Sequence, residues 1–287
     1  MIIFKSINKL NKKVNFKAPV GFVPTMGSLH KGHISLIKSS KKKCSKTLVS
    51  IFINPSQFNK KSDLKNYPRN IKKDIMILKK MNVDYLLLPK LNEIYKSKKD
   101  KKINIKKKDK IMCAQFRPGH FEGVLAVINQ FLKNIKASYI FLGEKDYQQF
   151  FLIKKFVRNK FGIKILLCKT IRDNNKVALS SRNILLKKDD LNKSSFIAKL
   201  LLKLKKYPKN MFALKNEIKN IKVKINNLKN VKIEYLEIRN KYNLSKRYTL
   251  KNFKIFLAYY IKEVRLIDNY WFRKKSKHQY LKKIKSL

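Results

Sequence analysis

Near the start of the chain, a predicted strand, a glycine-containing loop and a helix follow one another in the segment Gly21–His33, GFVPTMGSLHKGH. The apolar run that ends at Pro24 predicts a buried strand, and the apolar spacing from Ile34 onward predicts a helix. Unpaired backbone N–H groups and the helix dipole both favour an anion at such a junction. His30 and His33 lie three residues apart on one turn, so they can bind the same phosphate. Taken alone, a pair of histidines at this spacing is more often a pair of surface residues beside an ordinary turn.

Short apolar runs alternate with helical patterns over the first two thirds of the chain. The later runs lie at residues 47–53, 85–88, 139–142 and 163–167, and a well-formed helical pattern covers 121–135. This alternation predicts a parallel α/β sheet, in which ligands bind at the carboxyl ends of the strands. Two expected strands run into polar sequence there, NPSQF at 54–58 and GEKD at 143–146. The lysine-rich segment 96–110 is expected to be a solvated loop or a weak strand.

Two further groups suit a phosphate. Lys145 stands where a strand passes into a helix, and the run Ser180–Arg182 places two hydroxyls and a guanidinium in succession. By itself, Lys145 could be one of many surface lysines, and Ser180–Arg182 could be a helix cap with an exposed arginine. No G-x-x-x-x-G-K-[ST] occurs in the chain, so a P-loop is excluded.

The charge of the chain is extreme, with 71 lysines and arginines against 17 acidic residues and a formal net charge of +54. Such a balance often marks nucleic-acid or membrane-surface binding. Here the basic residues are spread over nearly every segment instead of forming one patch. We therefore expect a bias toward AT-rich codons and no specific nucleic-acid partner. Apolar residues, at 44%, still suffice for a packed core.

The cysteines and the apolar runs bear on the cellular compartment. Cys44, Cys113 and Cys168 form no metal-type or redox-type pair, which fits a reducing cytosol. The sequence shows no apolar leader region and no apolar run approaching 18 residues. We therefore expect a cytoplasmic protein that does not enter a membrane.

Beyond about residue 183 the sequence changes character. It contains no glycine, and lysine-rich helical stretches surround one alternating strand at 231–238, with another apolar stretch at 250–260. These features predict a smaller α+β domain with a basic tail. The expected domains are therefore 1–182 and 183–287.

Several motifs occur together in a fixed order. They are PTMGSLHKGH, FINPSQFN, NYPR, RPGHFEGV, FLGEKDYQQ, ALSSRN and VRLIDN, and they span roughly residues 20–269. With these motifs the chain resembles the pantothenate synthetase (pantoate–β-alanine ligase) family of the nucleotidyltransferase superfamily. The resemblance implies a Rossmann-like parallel-sheet N-terminal domain, a smaller α+β C-terminal lid domain and a homodimer. It also implies an ATP-dependent condensation of pantoate with β-alanine through a pantoyl-adenylate, with Mg²⁺, releasing AMP and pyrophosphate.

The resemblance also implies roles for individual residues in nucleotide binding and catalysis. His33 matches the proton-donating histidine, and His30 and Lys145 are expected to act with it. The residues expected to bind ATP are Met26, Gly27, Ser28, Leu29, His30, Lys31, Gly32 and His33, then Gly143, Glu144, Lys145 and Asp146, the backbone of Ile171, and Leu179, Ser180, Ser181 and Arg182. Among these, the histidines, Lys145 and Arg182 are the cationic and hydrogen-bonding groups that could stabilise negative charge on phosphoryl oxygens.

Substrate binding is assigned by the same resemblance. Gln57 and Gln149 match the residues that hold pantoate, Gln57 also lies beside the β-alanine site, and Arg117 is expected to contact substrate. An amide can bind hydroxyl groups by matched donors and acceptors without adding charge. The departures from the family pattern are Leu179 where methionine is usual, Asn66 where aspartate is common, and Lys262-Glu263 where small residues are usual. None of them removes a catalytic group.

Two other functions stay open on the residues alone. A tRNA-charging enzyme of the same superfamily would also use H-x-x-H and a basic loop, but the chain leaves no room for an anticodon-binding domain. A basic RNA-binding protein would explain the charge, but it would not explain glutamines that follow two strands.

Overall fold

The computed structural model describes residues 1–97, 100, 103–158, 160–204 and 210–271. The chain divides into two compact units. The first contains residues 1–174 and 178–185, and the second contains residues 175–177 and the described residues from 186 onward. Each unit has its own sheet.

The first unit is built on a parallel sheet with helices between its strands. Its strands are β1 Ile2–Phe4, β2 Val20–Thr25, β3 Lys46–Ile51, β4 Tyr85–Leu87, β5 Tyr139–Gly143 and β6 Lys164–Cys168. Its α-helices are α1 Ile7–Lys13, α2 Lys31–Lys43, α3 Lys61–Lys65, α4 Ile71–Lys80, α5 Leu91–Ile94, α6 Cys113–Phe116, α7 His120–Asn134 and α8 Tyr147–Val157. All pairings in this sheet are parallel, in the order β1-β4-β3-β2-β5-β6. The predicted Rossmann-like α/β sheet is confirmed.

The central strand β2 shows why the apolar pattern predicts this sheet so well. Phe22 and Val23 are fully buried, as expected for a strand covered on both faces. The strand does not stop before Pro24, however; it continues to Thr25, in register with β3. Its pairing with β5 already ends at Phe22 and Ile140, so the missing N–H of Pro24 interrupts no ladder on that side.

The order of the strands reverses at β2. From β2 the chain adds β3 and β4 on one side of the sheet and then crosses to β5 and β6 on the other side. The carboxyl ends of β2 and β5 therefore flank a topological switch point, which is where open α/β sheets bind ligands. The loop after β2 contains the two histidines, and β5 ends in the segment 143–146. The fold thus brings both predicted phosphate-binding segments to one edge.

Short and lysine-rich segments of this unit depart from the sequence pattern. The sequence does not predict β1, which has three residues and lies at the edge of the sheet, where Ile2 and Ile3 are exposed. It also does not predict α1. Within its described residues, the segment 96–110 forms no strand, and Lys107–Asp109 makes one 3-10 turn. Residues 98, 99, 101 and 102 of that segment lie outside the described residues.

The second unit packs two helices against an antiparallel sheet. Its elements are α9 Lys188–Lys203, α10 Met211–Asn226, β7 Val231–Asn240, β8 Phe253–Ile261 and β9 Val264–Tyr270. The strands pair in the order β7-β8-β9, and apolar residues such as Ile197, Leu214 and Ile255 form the core between helices and sheet. The smaller α+β fold is confirmed, but the VRLIDN motif is a strand that the sequence does not predict. The basic tail from residue 272 lies outside the described residues. Across the described parts of both units, no helix is both long and apolar enough to span a bilayer.

Candidate functional site

The loop between β2 and α2 brings His30 and His33 into contact. His30 is the N-cap of α2, and its Nδ1 accepts the backbone N–H of Gly32 at 3.1 Å. His33 lies in the first turn of the helix, and its Nδ1 accepts the backbone N–H of His30 at 3.3 Å. The ring centroids are 4.1 Å apart, so two histidines form a capping box. Because each Nδ1 is an acceptor, the proton of each neutral ring lies on Nε2, which leaves two N–H donors for a ligand.

Both histidines are neutral at pH 7. Burial and the charge of Lys145 lower the pKa of His30 to about 4, although Asp146 opposes the shift. Burial, His30 and Lys145 lower the pKa of His33 to about 3. Of the cationic and hydrogen-bonding groups expected at this site, the two rings are therefore neutral hydrogen-bond donors. A bound polyphosphate would raise both pKa values, since negative charge favours the protonated imidazole.

Backbone N–H groups of this loop already have acceptors within the protein. The N–H of Gly27 donates to Thr25 Oγ1 at 3.2 Å. The N–H groups of Ser28 and Leu29 donate to Asp74, to Oδ2 and Oδ1 respectively, at 2.8 Å each. The prediction that unpaired N–H groups of the loop bind phosphate is therefore wrong for these three residues.

Lys145 follows β5, on the other side of the switch point from the loop that contains the two histidines. The strand β5 ends at Gly143, and the next three residues form a 3-10 turn before α8. The Lys145 side chain is 18% exposed, and its Nζ lies 3.2 Å from Asp146 Oδ1. Its charge is one of the causes that lower the pKa of both His30 and His33, so Lys145 lies within electrostatic reach of both rings. The structure thus brings the three residues expected to be catalytic to one place.

The run Ser180–Arg182, with its hydroxyls and guanidinium, reaches the same loop. Ser181 Oγ donates to the backbone oxygen of Ser28 at 3.2 Å and also shares a hydrogen bond with the hydroxyl of Tyr67. The guanidinium of Arg182 lies 5.9 Å from the Tyr67 ring centroid. It also makes three contacts with the Asp63 carboxylate, at 2.8, 3.0 and 3.3 Å. This arginine is therefore held by a carboxylate beside the loop, and it is not simply an exposed surface arginine.

Three other residues expected to bind ATP adjoin this arginine. The N–H of Leu179 donates to the backbone oxygen of Ile171 at 3.0 Å, beside the antiparallel bridge between Arg172 and Ala178. A Cβ built on Gly32 would lie 4.0 Å from Leu179 Cβ, which places Leu179 beside the histidine loop. Ser180 Oγ accepts the N–H of Arg182 at 3.3 Å. Leucine thus occupies a position next to the loop where the family usually has methionine.

Gln57 lies in a buried turn that follows β3. Residues Pro55–Gln57 form a 3-10 turn, and the side chain of Asn54 caps it. Asn54 Nδ2 lies 3.4 Å from Gln57 Oε1, and Asn54 Oδ1 accepts the hydroxyl of Tyr95 at 3.1 Å. Gln57 Nε2 contacts Met26 Sδ at 2.7 Å. The chain segments that follow β2 and β3 therefore meet through Met26 and Gln57.

The helix α7 holds this turn through the backbone oxygen of Gln57. That oxygen accepts His120 Nδ1 at 2.7 Å and an Arg117 guanidinium N–H at 3.3 Å. Arg117 also lies 2.9 Å from His120 Nε2; because a guanidinium only donates, His120 carries its proton on Nδ1. A Cβ on Gly123 would lie 2.2 Å from the backbone oxygen of Ser56, so the close approach of α7 requires glycine. The structure places Arg117 where it can position Gln57, and its direct contact with substrate stays a prediction.

Gln149 is the predicted site residue that these contacts do not reach. It lies half-buried in the first turn of α8, next to Gln148, which is buried and donates to the backbone oxygen of Ile111 at 2.7 Å. Among the described residues, no hydrogen bond connects Gln149 with Gln57. A shared role of the two glutamines in binding pantoate stays a prediction.

Sequence reasoning missed the residues that support this site. They are Asp74, Asp63, Tyr67, Asn54, Tyr95 and His120, which touch the predicted residues from other elements. A usable signal existed for the aspartates. In a chain with only 17 acidic residues, an acid that stands alone among lysines is a candidate for a defined partner.

Comparison with known sequences agrees with this arrangement. The family model for pantoate-beta-alanine ligase matches residues 2–271. A pantothenate synthetase from Francisella tularensis subsp. novicida is 38% identical over 279 residues, which cover 94% of this chain and 97% of that protein. A pantothenate synthetase from Buchnera aphidicola subsp. Acyrthosiphon pisum is 45% identical over 205 residues, which cover 70% of this chain and 71% of that protein.

Solved structures give the same result. A pantothenate synthetase from Thermus thermophilus has a TM-score of 0.85 at 27% identity, covering 94% of this chain and 99% of that one. A pantoate-beta-alanine ligase from Francisella tularensis, solved in complex with beta-gamma ATP and beta-alanine, has a TM-score of 0.79 at 36% identity. The match covers 94% of this chain and 97% of that one. Since the family model spans nearly the whole chain and a relative above 30% identity covers most of it, this chain belongs to the pantoate–β-alanine ligase family.

Proposed function

We propose that this protein condenses pantoate with β-alanine at the expense of ATP, giving pantothenate, AMP and pyrophosphate through a pantoyl-adenylate. The observation that carries the proposal is the meeting of three segments at the carboxyl edge of one parallel sheet. These are the histidine loop after β2, the Gln57 turn after β3 and the Lys145 turn after β5. Family membership supports the proposal, as does the Francisella relative in complex with beta-gamma ATP and beta-alanine.

The nucleotide phosphates are proposed to bind among side chains. His30 and His33 supply two Nε2–H donors, and Lys145 supplies an ammonium group within electrostatic reach of them. Arg182 supplies a guanidinium next to Ser181, which contacts the loop. These groups are held before ATP arrives, by the capping box and by the Ser181 contact with the loop. Donors held in advance stabilise developing charge without reorganising during the reaction.

The first chemical step joins pantoate to the α-phosphorus of ATP. A carboxylate oxygen of pantoate attacks phosphorus, a new O–P bond forms, and the bond to the β-phosphate oxygen breaks with its electron pair leaving on pyrophosphate. Negative charge grows on the phosphoryl oxygens and on the leaving group, where the histidine N–H groups and the two cations can stabilise it. In the second step the amine of β-alanine attacks the acyl carbon, AMP leaves and the amine loses a proton.

Pantoate is proposed to bind at Gln57, with Gln149 as a second partner. The amide of Gln57 is buried and offers both a donor and an acceptor, which suits the hydroxyl groups of pantoate. Its backbone is fixed by His120 and Arg117 and by the close approach of α7. An amide adds no charge that would bind the reacting carboxylate in place of the hydroxyls.

Magnesium is implied by the family, and the side chains at the site fit it. In the described part of the chain, no group of three or more His, Cys, Asp or Glu side chains could hold a metal ion by itself. Mg²⁺ bound with ATP commonly takes only one or two carboxylates together with phosphate oxygens. Asp146 offers such a carboxylate beside Lys145, 42% exposed. Bound there, Mg²⁺ would neutralise part of the phosphate charge.

Two further properties of the family are carried over as proposals. The second unit would act as a lid that keeps water from the acyl-adenylate. Two copies would form a homodimer, for which the edge strand β6 with its exposed Leu167 offers one apolar surface on the first unit. A mass in sedimentation equilibrium of twice the 34.0 kDa chain would support the dimer, and the monomer mass would contradict it.

Exchange of labelled pyrophosphate into ATP tests the proposed function. With pantoate and Mg²⁺ present and β-alanine absent, exchange is expected because the adenylate forms reversibly before the amine is needed. Exchange that required β-alanine would contradict the proposed order of steps. Exchange with an amino acid in place of pantoate would favour a tRNA-charging enzyme, and no exchange with either would contradict an adenylate-forming reaction.

A further inference from the structure

A buried carboxylate holds the histidine loop from the side of α4. Asp74 lies in the first turn of α4, and the residue is only 2% exposed. Its two oxygens accept the N–H groups of Ser28 and Leu29 at 2.8 Å each. The partners are 46 and 45 residues away in the sequence, so the contact ties two separate elements together.

The backbone of the loop is shaped to offer these N–H groups to an anion. Gly27 and Ser28 both have positive φ, at +81° and +51°. Successive N–H groups in a turn of this kind point to one side and form an anion-binding concavity. In many nucleotide-binding loops that concavity holds a phosphate. Here the carboxylate of Asp74 occupies it, as an anion supplied by the protein itself.

The contact with Asp74 fixes the backbone directly before the capping box. Leu29, which donates to Asp74, directly precedes His30, and His30 is both the N-cap of α2 and the partner of His33. A shift of the backbone at Ser28 and Leu29 would therefore move both imidazole rings. The side chain of Asp74 itself is covered by the loop, so it has no surface left for a nucleotide.

We propose that Asp74 is a positioning residue for the adenylation step: its carboxylate replaces a phosphate in the loop and fixes the backbone so that His30 and His33 direct their Nε2–H groups to the nucleotide. The proposal rests on the proposed function for the identity of the nucleotide step. It differs from a purely structural role because it assigns the effect of Asp74 to the two histidines and to ATP.

Asp74→Asn tests the proposal directly. Asparagine keeps the size of the side chain but turns one acceptor into an NH₂ donor, so one backbone N–H loses its partner. We expect kcat/KM for ATP in the exchange reaction to fall about tenfold to a hundredfold, the scale for one unpaired buried polar group. We expect KM for pantoate to change much less, because the Gln57 turn is held by α7.

Asp84→Asn is the matched control. One oxygen of Asp84 accepts the backbone N–H of Thr47 at 2.9 Å, and the other pairs with Lys46, so this carboxylate also anchors backbone. It lies at the amino ends of β3 and β4, the edge of the sheet opposite the site. Its loss is expected to lower stability while leaving kcat/KM for ATP within about threefold of the wild type, as for sites with no shared partner.

Histidine titration gives a readout that does not depend on activity. The chain contains four histidines, so their Cε1–H signals can be resolved and assigned by NMR. In the wild type, the signals of His30 and His33 should titrate with pKa values of about 4 and about 3. In Asp74→Asn these midpoints are expected to rise toward the ordinary value of about 6.5 as the rings leave their buried positions. In Asp84→Asn they should not move.

A second pair of variants covers the case in which Asp74→Asn does not fold. In Gly27→Ala, the new Cβ would lie 3.0 Å from Asp74 Oδ2, so the loop is pushed from the carboxylate without changing the carboxylate. Gly119→Ala imposes the same φ of +81° with nothing within 4 Å of the new Cβ, which controls for backbone strain alone. The titration midpoints of His30 and His33 are expected to rise in Gly27→Ala and to stay unchanged in Gly119→Ala.

The outcomes separate this proposal from the proposed function. Histidine midpoints that stay at wild-type values in both Asp74→Asn and Gly27→Ala would overturn the positioning role, whatever the activity. Equal losses of kcat/KM for ATP in Asp74→Asn and Asp84→Asn would overturn it as well. Failure of the wild type to exchange pyrophosphate in the presence of pantoate would refute the proposed function, while the titration would still decide what Asp74 does to the histidines.

Discussion

The two turns that follow β2 and β3 are held in place in opposite ways. Both lie at the carboxyl edge of the sheet, and both carry side chains proposed to touch substrate. In the loop after β2, backbone N–H groups are held by the buried carboxylate of Asp74. In the turn after β3, the backbone oxygen of Gln57 is held by the imidazole of His120 and the guanidinium of Arg117. One turn is fixed by an acceptor and the other by donors.

The difference shows how neighbouring helices pair the backbone groups of the two turns. Each turn exposes one kind of backbone group, and a neighbouring helix supplies the complementary group, α4 in one case and α7 in the other. Backbone groups that are already paired offer little to a ligand, so specificity falls to the side chains. The comparison leads to a division of roles that can be tested. Changes at the loop after β2 should affect the use of ATP, and changes at the turn after β3 should affect the binding of pantoate.

The largest expected effect is that of His33→Ala on the ATP side of this division. Exchange of pyrophosphate should fall by about 10²–10³, the scale for losing one preorganised transition-state donor. Circular dichroism should show the same fold, and KM for pantoate should stay close to the wild-type value. Ser39→Ala, about two turns further along α2, removes a hydroxyl that bonds the backbone oxygen of Ser35 and the thiol of Cys168, and it serves as the control. Wild-type exchange in His33→Ala would remove this ring from the mechanism.

The next effect concerns the pantoate side. His120→Leu keeps much of the side-chain volume but removes the donor to the backbone oxygen of Gln57. We expect KM for pantoate to rise about fivefold to a hundredfold, the scale of about 1–3 kcal/mol for a buried carbonyl left partly unpaired. KM for ATP should change little. Varying each substrate in the exchange assay measures both KM values. A larger rise in KM for ATP than for pantoate would contradict the division between the two turns.

The sequence predicts the interior strands of this fold because their signal is local. Runs such as TLVSI in β3 and YIFL in β5 are rich in β-branched, aromatic and other apolar residues, as is typical of strands buried on both faces. It does not predict β1, a three-residue strand at the edge of the sheet in which Ile2 and Ile3 are exposed. Nor does it predict β9, because VRLIDNY is neither a continuous apolar run nor a strict alternation, and the strand depends on its pairing with β8.

The same limit applies to the site. The histidines, Gln57 and Lys145 can be predicted because each follows a strand with a recognisable motif. Asp74 stands out only as an acid among lysines, and His120 carries no such signal. The partners of both residues cannot be predicted, because they are backbone groups 45 and 63 residues away and backbone groups leave no trace in a sequence. The protonation of His30 and His33 also could not be predicted, since it depends on burial and on the position of Lys145.

The low pKa values of His30 and His33 predict how stability depends on pH. Each folded pKa, about 4 and about 3, lies below the unfolded value of 6.5, so the unfolded chain binds more protons between these limits. The contribution of the neutral rings is therefore complete above pH 6.5 and declines as the pH falls, by about 1.4 kcal/mol per unit for each histidine. Urea unfolding at about pH 7.5, 6 and 5 measures this slope, which should be smaller in His33→Ala.

The same pKa values predict the pH dependence of ATP use. Because kcat/KM reports groups of the free enzyme, it should show no inflection near pH 6.5 from these histidines. An inflection there in the wild type that His33→Ala abolished would show that the ring titrates normally. In that case the histidine loop after β2 would bind ATP through a charged imidazole and not through a neutral one.

The smallest effect is expected at Asp63, which holds Arg182 beside the histidine loop. The pair is partly exposed, with side-chain exposures of 24% for Arg182 and 34% for Asp63. Such pairs are worth about 0–1 kcal/mol. A phosphate that binds Arg182 must share or displace this carboxylate, and two anions around one guanidinium repel each other. Asp63→Asn should therefore tighten ATP binding, and KM for ATP should fall up to about fivefold.

Asp63 and Asp74 both lie on the ATP side of the site, but substituting them is expected to change the use of ATP in opposite directions. Asp74 is buried against backbone and should help ATP when present, whereas Asp63 competes with phosphate for a side chain and should hinder it. Asp189→Asn, which removes an exposed pair with Lys193 in α9, is the matched control and should leave KM for ATP unchanged. A rise in KM for ATP in Asp63→Asn would show that this carboxylate positions Arg182 for the nucleotide. In that case both carboxylates would support ATP binding. The benefit of holding Arg182 in place would then outweigh the competition between Asp63 and phosphate for this arginine.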